Sequence, residues 1–276
     1  MKPQVKAFLF LVIITVLDFL FRKGLLSILI PFPLSQQYSI GFLFVLFAIS
    51  ALLVTKWFCN KDGSSLNDLG ISLSKPNRFD FIYGFLVGVV LWAIVCWIQS
   101  AVAGFSWELR TDFNYMSLLY GLLFIFIADL GTELYTRGYP LTRFKDSFGP
   151  MSAIVIMAFF VGCKSISFDQ SGPLLFYAIL IPVLHTIFFS IIYFKTKRLG
   201  PALGVHTGAN FITISIFDLR LEQPGQAIPA GLFQSNTGIE GLSMHALQLP
   251  YVIMAIAFSV AVYLWWMHSE ASQNEA

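Results

Sequence analysis

Long runs of apolar residues constrain this chain more than any other feature of its sequence. Residues 81–103 contain no charged side chain, and similar runs recur along the whole chain. A helix needs about 20 such residues to cross the hydrocarbon core of a bilayer. Only 12% of the residues are charged, against about 25% in soluble domains. The sequence therefore predicts an all-α, polytopic transmembrane bundle that forms a single integral-membrane domain over residues 1–276.

The apolar runs predict about eight membrane spans. The fifth and the seventh are short, and we expect them to be half-buried helices that line a polar cavity inside the membrane. The polar end of the chain, residues 269–276, is expected to be a disordered tail. The predicted spans are residues 7–30, 39–55, 81–103, 117–138, 151–165, 173–194, 203–217 and 250–267.

Basic residues cluster in alternate connections between these spans, which predicts an orientation. Cytoplasmic loops of membrane proteins carry an excess of Lys and Arg. An even number of spans with both termini in the cytoplasm fits this rule, and the compact loops fit a bacterial plasma membrane. The residues that support this topology are Lys2, Lys6, Lys56, Lys61, Lys75, Arg78, Arg143, Lys145, Lys195, Lys197 and Arg198.

Composition excludes some classes of function. The net charge of +2 says little about partners. No basic tract is interleaved with aromatic residues, so nucleic acid is not an expected partner. Membrane lipid is the expected partner of a chain with these apolar runs. Cys59, Cys96 and Cys163 are odd in number and widely spaced, which indicates neither a disulfide framework nor a zinc site.

A group of charges interrupts the fourth apolar run. Residues 118–128 carry no charge, and then Asp129, Glu133 and Arg137 follow at intervals of four. At about 100° per residue the three share one helical face, and Thr132 and Thr136 lie beside them. Charges inside a membrane helix are costly and normally mark a functional site. The alternative is a self-neutralising ion pair, because Glu precedes Arg in the favourable order.

Other polar residues also fall at membrane depth. Lys164 ends the fifth span and either extends towards the membrane surface or meets Asp129 or Glu133. His206 and Asn210, four residues apart, share one face of the seventh span and form a second candidate pair.

Two further polar residues receive structural interpretations. His185 lies in the middle of the sixth span, and we interpret it as a structural histidine. Asp18 is expected near the membrane interface, paired with Arg22 four residues later.

Together these residues resemble three motifs of the CPBP family of intramembrane proteases, which includes the type II CAAX prenyl proteases and the bacterial Abi-like proteins. The family pattern Glu-Glu-x-x-x-Arg-Gly resembles residues 132–138, Phe-x-x-x-His resembles 160–164, and His-x-x-x-Asn is intact at 206–210. The resemblance covers about residues 118–211, the expected catalytic core.

The resemblance implies endopeptidase cleavage of membrane or prenylated peptides. It implies a glutamate that activates water, histidines that bind a metal or orient that water, and an asparagine that stabilises the oxyanion. Glu133, His206 and Asn210 match motif positions, and Arg137 would pair with Glu133. However, Thr132 replaces the first glutamate and Lys164 replaces the second motif's histidine. The ligand set for the family's zinc is therefore incomplete, and the cofactor stays unassigned.

Three hypotheses follow. The first is an intramembrane protease, in which Asp129, three residues before Thr132, could supply the missing carboxylate. The second is a pseudoprotease that has lost hydrolysis and binds a membrane protein or peptide. In it, Lys164 pairs with Asp129 or Glu133. The third is a transporter or channel that uses the charged helix as an ion path, and the order of the motifs argues against it.

Overall fold

The fold is a bundle of helices, described here from a computed structural model. The structure describes residues 1–21, 36–166, 170–219, 231–237 and 242–274. In chain order the helices are α1 Pro3–Phe21, α2 Gln36–Lys61, α3 Lys75–Ala103, α4 Met116–Glu133, α5 Tyr139–Phe148, α6 Pro150–Lys164, α7 Gly172–Thr196, α8 Leu199–Asn210 and α9 Met244–Asn274.

Short elements complete the chain. A 3-10 turn covers Asn67–Leu69, and π-helical turns cover Leu134–Gly138 and Phe211–Ile216. Two strands, β1 Trp107–Leu109 and β2 Phe233–Ser235, pair antiparallel with Trp107 opposite Ser235.

The prediction of an all-α membrane bundle is confirmed. Within the described residues, six helical stretches are long and apolar enough to cross a membrane, and the 33-residue stretch Met116–Phe148 among them joins α4 and α5. The shorter apolar helix Pro150–Lys164 corresponds to the fifth predicted span, and α8 with its π turn corresponds to the seventh. The protein is therefore an integral membrane protein.

Several predicted boundaries differ from the structure. Lys75 and Arg78 were assigned to a loop, but they lie in the first turns of α3, where Pro76 begins the helix. Arg143 and Lys145 lie in α5, because the fourth span continues through its π turn rather than ending at Gly138. The last helix continues to Asn274, into the segment expected to be a disordered tail.

Glycines fix the closest helix contact of the bundle, between α3 and α8. Gly204 and Gly208 on α8 face the backbone of α3, and Gly84 and Gly88 on α3 face the backbone of α8. A β-carbon on Gly208 would lie 2.2 Å from the carbonyl oxygen of Phe85. Small residues four apart allow membrane helices to approach this closely. The contact places α8, and with it the third motif, firmly against the bundle.

The remaining helices enclose α4 and α8. Helix α4 packs against α2 and α8, α7 packs against α6, α8 and α9, and α1 packs against α2 and α5. A core of aromatic side chains, including Phe10, Phe58 and Tyr139, joins α1, α2 and α5. The first and third motifs therefore face each other across the centre of the bundle.

An ionic network joins the ends of α1, α2 and α5. Lys6 and Arg143 both pair with Asp62, and the hydroxyl of Tyr139 donates a hydrogen bond of 2.7 Å to Asp62 Oδ2. Burial raises the pKa of the Asp62 carboxyl. The hydrogen bonds from Lys6 and Tyr139 and the charge of Arg143 outweigh burial and hold the pKa below its ordinary value.

This lowered pKa predicts acid sensitivity. The folded carboxyl binds its proton less readily than the unfolded one, so its stabilising contribution is present above about pH 4 and is lost as the pH falls through the folded-state pKa. We expect Asp62→Asn to lower the unfolding midpoint more at pH 7 than at pH 3. Thermal unfolding in detergent at both pH values measures this, and an equal difference at the two would contradict the account.

Candidate functional site

The polar centre of the bundle is built around two carboxylates near the end of α4, one of them in the first motif and the other three residues before it. Asp129 is 4% exposed and Glu133 is fully buried. Both lie on the face of α4 that packs against α8. His206 Nδ1 lies 2.7 Å from Glu133 Oε1, and His206 Nε2 lies 3.5 Å from Asp129 Oδ1. The imidazole therefore lies between the two acids, with one ring nitrogen directed at each.

Asn210 completes this cluster. Its side-chain amide donates a hydrogen bond of 2.8 Å to Asp129 Oδ1. Spacing of four residues on α8 places Asn210 and His206 on one face, as the sequence predicted, and that face meets Asp129. The structure thus brings together Asp129, Glu133, His206 and Asn210, the four residues predicted to be catalytic.

Arg137 and Glu133 form the predicted internal pair. Arg137 is 2% exposed, and its Nη1 donates to Glu133 Oε1 at 3.0 Å. The guanidinium also donates to the hydroxyl of Thr136 and to the carbonyl of His185, the latter at 3.2 Å. These contacts pair the buried cation through its two terminal nitrogens and offset part of the cost of its desolvation.

A π-helical turn lies within the first motif. It covers Leu134–Gly138, directly after Glu133, and a second one, Phe211–Ile216, follows Asn210 directly. Single π turns inside α-helices are rare and often occur at functional sites. The sequence carries no signal for them, so the prediction of a regular helix missed the turn that orients Arg137.

Thr132 lies at the position where the resemblance implies a water-activating glutamate. Its hydroxyl donates a hydrogen bond of 3.0 Å to the carbonyl oxygen of Ala128, one turn earlier on the same helix. Back-bonding of this kind is ordinary for a threonine inside a helix. The hydroxyl is therefore used in local helix structure. The nearest carboxylates along α4 are those of Glu133, which follows Thr132 directly, and of Asp129, three residues earlier.

Lys164 does not meet the site acids, so the predicted pairing with Asp129 or Glu133 is wrong. Its Nζ lies 2.9 Å from Asp18 Oδ2 and 4.1 Å from the centre of the Tyr135 ring. Lys164 ends α6, next to α1 rather than α8, and the Asp18 carboxylate and the Tyr135 ring together stabilise its charge.

Asp18 is also placed differently from its prediction. It is 3% exposed, so it is buried inside the bundle, and it pairs with Lys164 from α6. Its predicted partner, Arg22, lies outside the described residues. The contact could not be predicted, because nothing in a single sequence relates residue 18 to residue 164.

His185, interpreted as structural, lies beside the site. Its ring centre is 6.3 Å from that of His206, and its Nε2 is hydrogen-bonded to the hydroxyl of Tyr251, which accepts a bond of 2.8 Å from Trp92 Nε1. Phe189, one turn further along α7, stacks on His206 at 4.9 Å. The His185 ring therefore lies beside the His206 ring, and its own hydrogen bond connects α7 to Tyr251 on α9. The mid-span position of His185 was its only signal in the sequence.

The residues present do not fit the zinc that the family resemblance implies. Both ring nitrogens of His206 face carboxylate oxygens, so neither lone pair points towards an open coordination position. Lys164, at the position of the second histidine, is bound to Asp18. Among the described residues, no group of three or more His, Cys, Asp or Glu side chains is arranged to hold a metal ion.

Comparison with known proteins agrees with the motifs. Residues 114–212 match the family model described as type II CAAX prenyl endopeptidase Rce1-like. No curated protein and no solved structure matches the chain. The matched segment contains the whole polar cluster on α4 and α8, and it includes the predicted core, residues 118–211. The predicted resemblance is therefore confirmed over part of the chain: residues 114–212 of this membrane protein are similar to the type II CAAX prenyl endopeptidases.

Proposed function

We propose that the protein is a non-hydrolytic relative of the type II CAAX prenyl endopeptidases. It would bind a peptide or partner protein inside the membrane, with both termini in the cytoplasm. One observation carries the proposal: the polar groups retained from the protease motifs bond to one another or to Asp129. Glu133 bonds to Arg137 and His206, and Asn210 bonds to Asp129.

Peptide hydrolysis needs groups that are directed at the substrate. A general base must reach the attacking water, and a donor must point at the oxygen that gains charge. Here the Asn210 amide donates to Asp129, and the Thr132 hydroxyl donates to Ala128. A threonine hydroxyl cannot act as a base near neutral pH without help. These contacts support a scaffold that has kept its geometry and lost its chemistry.

A second candidate function is hydrolysis with Asp129 as a relocated base. Asp129 Oδ2 is buried and has no hydrogen-bond partner among the described residues, while Oδ1 faces His206 and Asn210. A carboxylate with one uncommitted oxygen beside a histidine is a reasonable general base. This observation favours Asp129 over Thr132 as the residue that would activate water.

Restoring the two missing motif residues tests the proposal. We expect the wild type to bind a fluorescent prenylated peptide in liposomes without cleaving it. Thr132→Glu with Lys164→His should gain cleavage, and Asp18→Asn must accompany them because Lys164→His removes the partner of Asp18. The matched control carries Thr132→Gln instead, which has the same shape but no base. Product is measured by mass spectrometry.

The same assay separates the two candidates. Cleavage by the wild type that disappears in Asp129→Asn would contradict the proposal and establish the relocated base. A wild type that neither binds nor cleaves the peptide would contradict both for this substrate class. Cleavage by the glutamate variant but not by its glutamine control would support a competent scaffold that lacks only its base.

A further inference from the structure

A cavity remote from the motifs carries a further inference, and it does not depend on the proposed function. It has a volume of about 280 Å³ and lies between α5, the start of α6, the end of α7 and the end of α9. Two lysines line it, Lys145 from α5 and Lys197 after α7, with Trp266 from α9. We propose that this cavity binds a phosphate-bearing anion, and that its source is the headgroup of an anionic phospholipid.

The charge of the cavity favours an anion. Lys197 has no ion-pair partner among the described residues. Lys145 Nζ lies 3.7 Å from Asp146 Oδ1, a long contact, and Asp146 also pairs with Arg143 at 3.1 Å. The one acid that lines the cavity is Asp68. Its Oδ2 already accepts hydrogen bonds from the backbone and the hydroxyl of Ser65. Two lysines against one occupied carboxylate leave the cavity positively charged.

The backbone at Lys197 provides a separate observation. Lys197 has φ of 53°, and it is the only non-glycine residue with positive φ in the described chain. This left-handed position ends α7, and glycine is the residue that usually ends a helix in this way. A lysine here accepts conformational strain that glycine would avoid. A ligand that needs the cation gives a reason for the lysine.

The lining leaves the two lysine amines as the donors for a phosphate group. The hydroxyls of Thr142 and Tyr193 lie at the cavity wall, but each already donates a hydrogen bond of 3.0 Å to a backbone carbonyl oxygen, of Gly138 and Leu69 respectively. Trp266 is 8% exposed and supplies an apolar wall against which the acyl chains of a lipid could pack. Basic pockets between membrane helices are known to bind anionic lipid headgroups.

The depth of the cavity identifies lipid as the source. Trp265 is 51% exposed next to Trp266, and Lys195 lies 4.9 Å from the centre of its ring. On α2, Trp57 is 52% exposed and Lys61 lies 5.8 Å from its ring. Exposed tryptophans beside lysines mark the level of the lipid headgroups. The basic residues predict that this side is cytoplasmic, where anionic lipids attract cationic pockets.

The test uses the full chain in phosphatidylcholine nanodiscs with added phosphatidylglycerol. Native mass spectrometry counts the lipids retained by the protein. We expect the wild type to retain phosphatidylglycerol selectively, and Lys145→Gln with Lys197→Gly to bind it roughly thirtyfold more weakly. Lys197→Gly removes the cation while relieving the positive φ, so this variant should fold at least as well as the wild type without lipid.

Lys61→Gln is the matched control. It removes a lysine next to a tryptophan on the same side of the membrane but outside the cavity, so it should retain the lipid like the wild type. Equal retention by the double variant and by Lys61→Gln would overturn the proposal, as would no preference for phosphatidylglycerol over phosphatidylcholine.

A second experiment, with water-soluble anions, distinguishes a lipid headgroup from free phosphate as the source of the anion. Inorganic phosphate and glycerol phosphate are added to the protein in pure phosphatidylcholine, and the unfolding midpoint is measured. We expect no stabilisation, because these ligands lack the acyl chains that pack against Trp266. Stabilisation by phosphate that requires Lys145 and Lys197 would keep the anion site but overturn lipid as its source.

Discussion

Glu133→Ala should destabilise the protein by about 3–5 kcal/mol, which is the usual cost of removing one partner from a buried ion pair. The substitution leaves Arg137, 2% exposed, without its carboxylate, and it removes the partner of His206 Nδ1 at the same time. The hydrogen bonds of Arg137 to Thr136 and to the His185 carbonyl cannot neutralise its charge. The unfolding midpoint in detergent should fall accordingly, and equilibrium denaturation gives the free energy.

Two further variants show whether the unpaired charge is the cause. Glu133→Leu together with Arg137→Met replaces both charges by apolar side chains, and it should recover much of the loss because no uncompensated charge remains. Asp146→Ala removes one partner of an exposed pair, Arg143–Asp146, and should cost less than about 1 kcal/mol. If Glu133→Ala cost no more than Asp146→Ala, the buried pair would not hold the site together.

The sequence predicted the parts of the fold that depend on composition and short spacing. Apolar runs located the spans, because a bilayer requires about 20 such residues from any helix that crosses it. Intervals of four predicted that Asp129 and Glu133 share a face, and likewise His206 and Asn210. The resemblance to the protease motifs implied that the first of these pairs faces the second.

Long-range contacts and local irregularities could not be predicted in this way. The partner of Lys164 is Asp18, from the first helix, and the two are related only by how α1 packs beside α6. The π turn after Glu133 has no known sequence signal, yet it orients Arg137. His185 lies beside the site because of the way α7 is rotated about its own axis. That rotation depends on how α7 packs against α8 and α9.

These misses bear on function. Lys164 at the second motif suggested that its charge directly replaces a metal or a histidine. However, its amine lies against Asp18 and not against Asp129 or Glu133. The site has therefore not substituted one charge for another within a single pocket. Instead its own acids, histidine and asparagine bond together, while Lys164 joins a separate pair near α1.

Gly208→Ala should be among the most disruptive single substitutions in the bundle. Glycine to alanine inside a helix ordinarily stabilises by about 1 kcal/mol. Here the added β-carbon would lie 2.2 Å from the Phe85 carbonyl oxygen, while ordinary contact begins near 3.4 Å, so backbone must move by more than 1 Å. The backbone on both sides is held in a helix, so the substitution should lower the free energy of unfolding by at least about 3 kcal/mol. This effect is opposite in sign to the one that helix propensity alone predicts.

The consequence should reach the polar centre, since Gly208 lies between His206 and Asn210 on α8. Moving α8 away from α3 would displace the imidazole from Glu133 and the amide from Asp129, so Gly208→Ala should also lose the binding expected of the site. Gly162→Ala on α6 is the matched control, because its β-carbon would meet side chains rather than backbone: Val183 at 3.0 Å and Ile179 at 3.7 Å. Its unfolding midpoint should stay near that of the wild type. A Gly208→Ala protein as stable as this control would show that α3 and α8 are not in the close contact on which the geometry of the third motif depends.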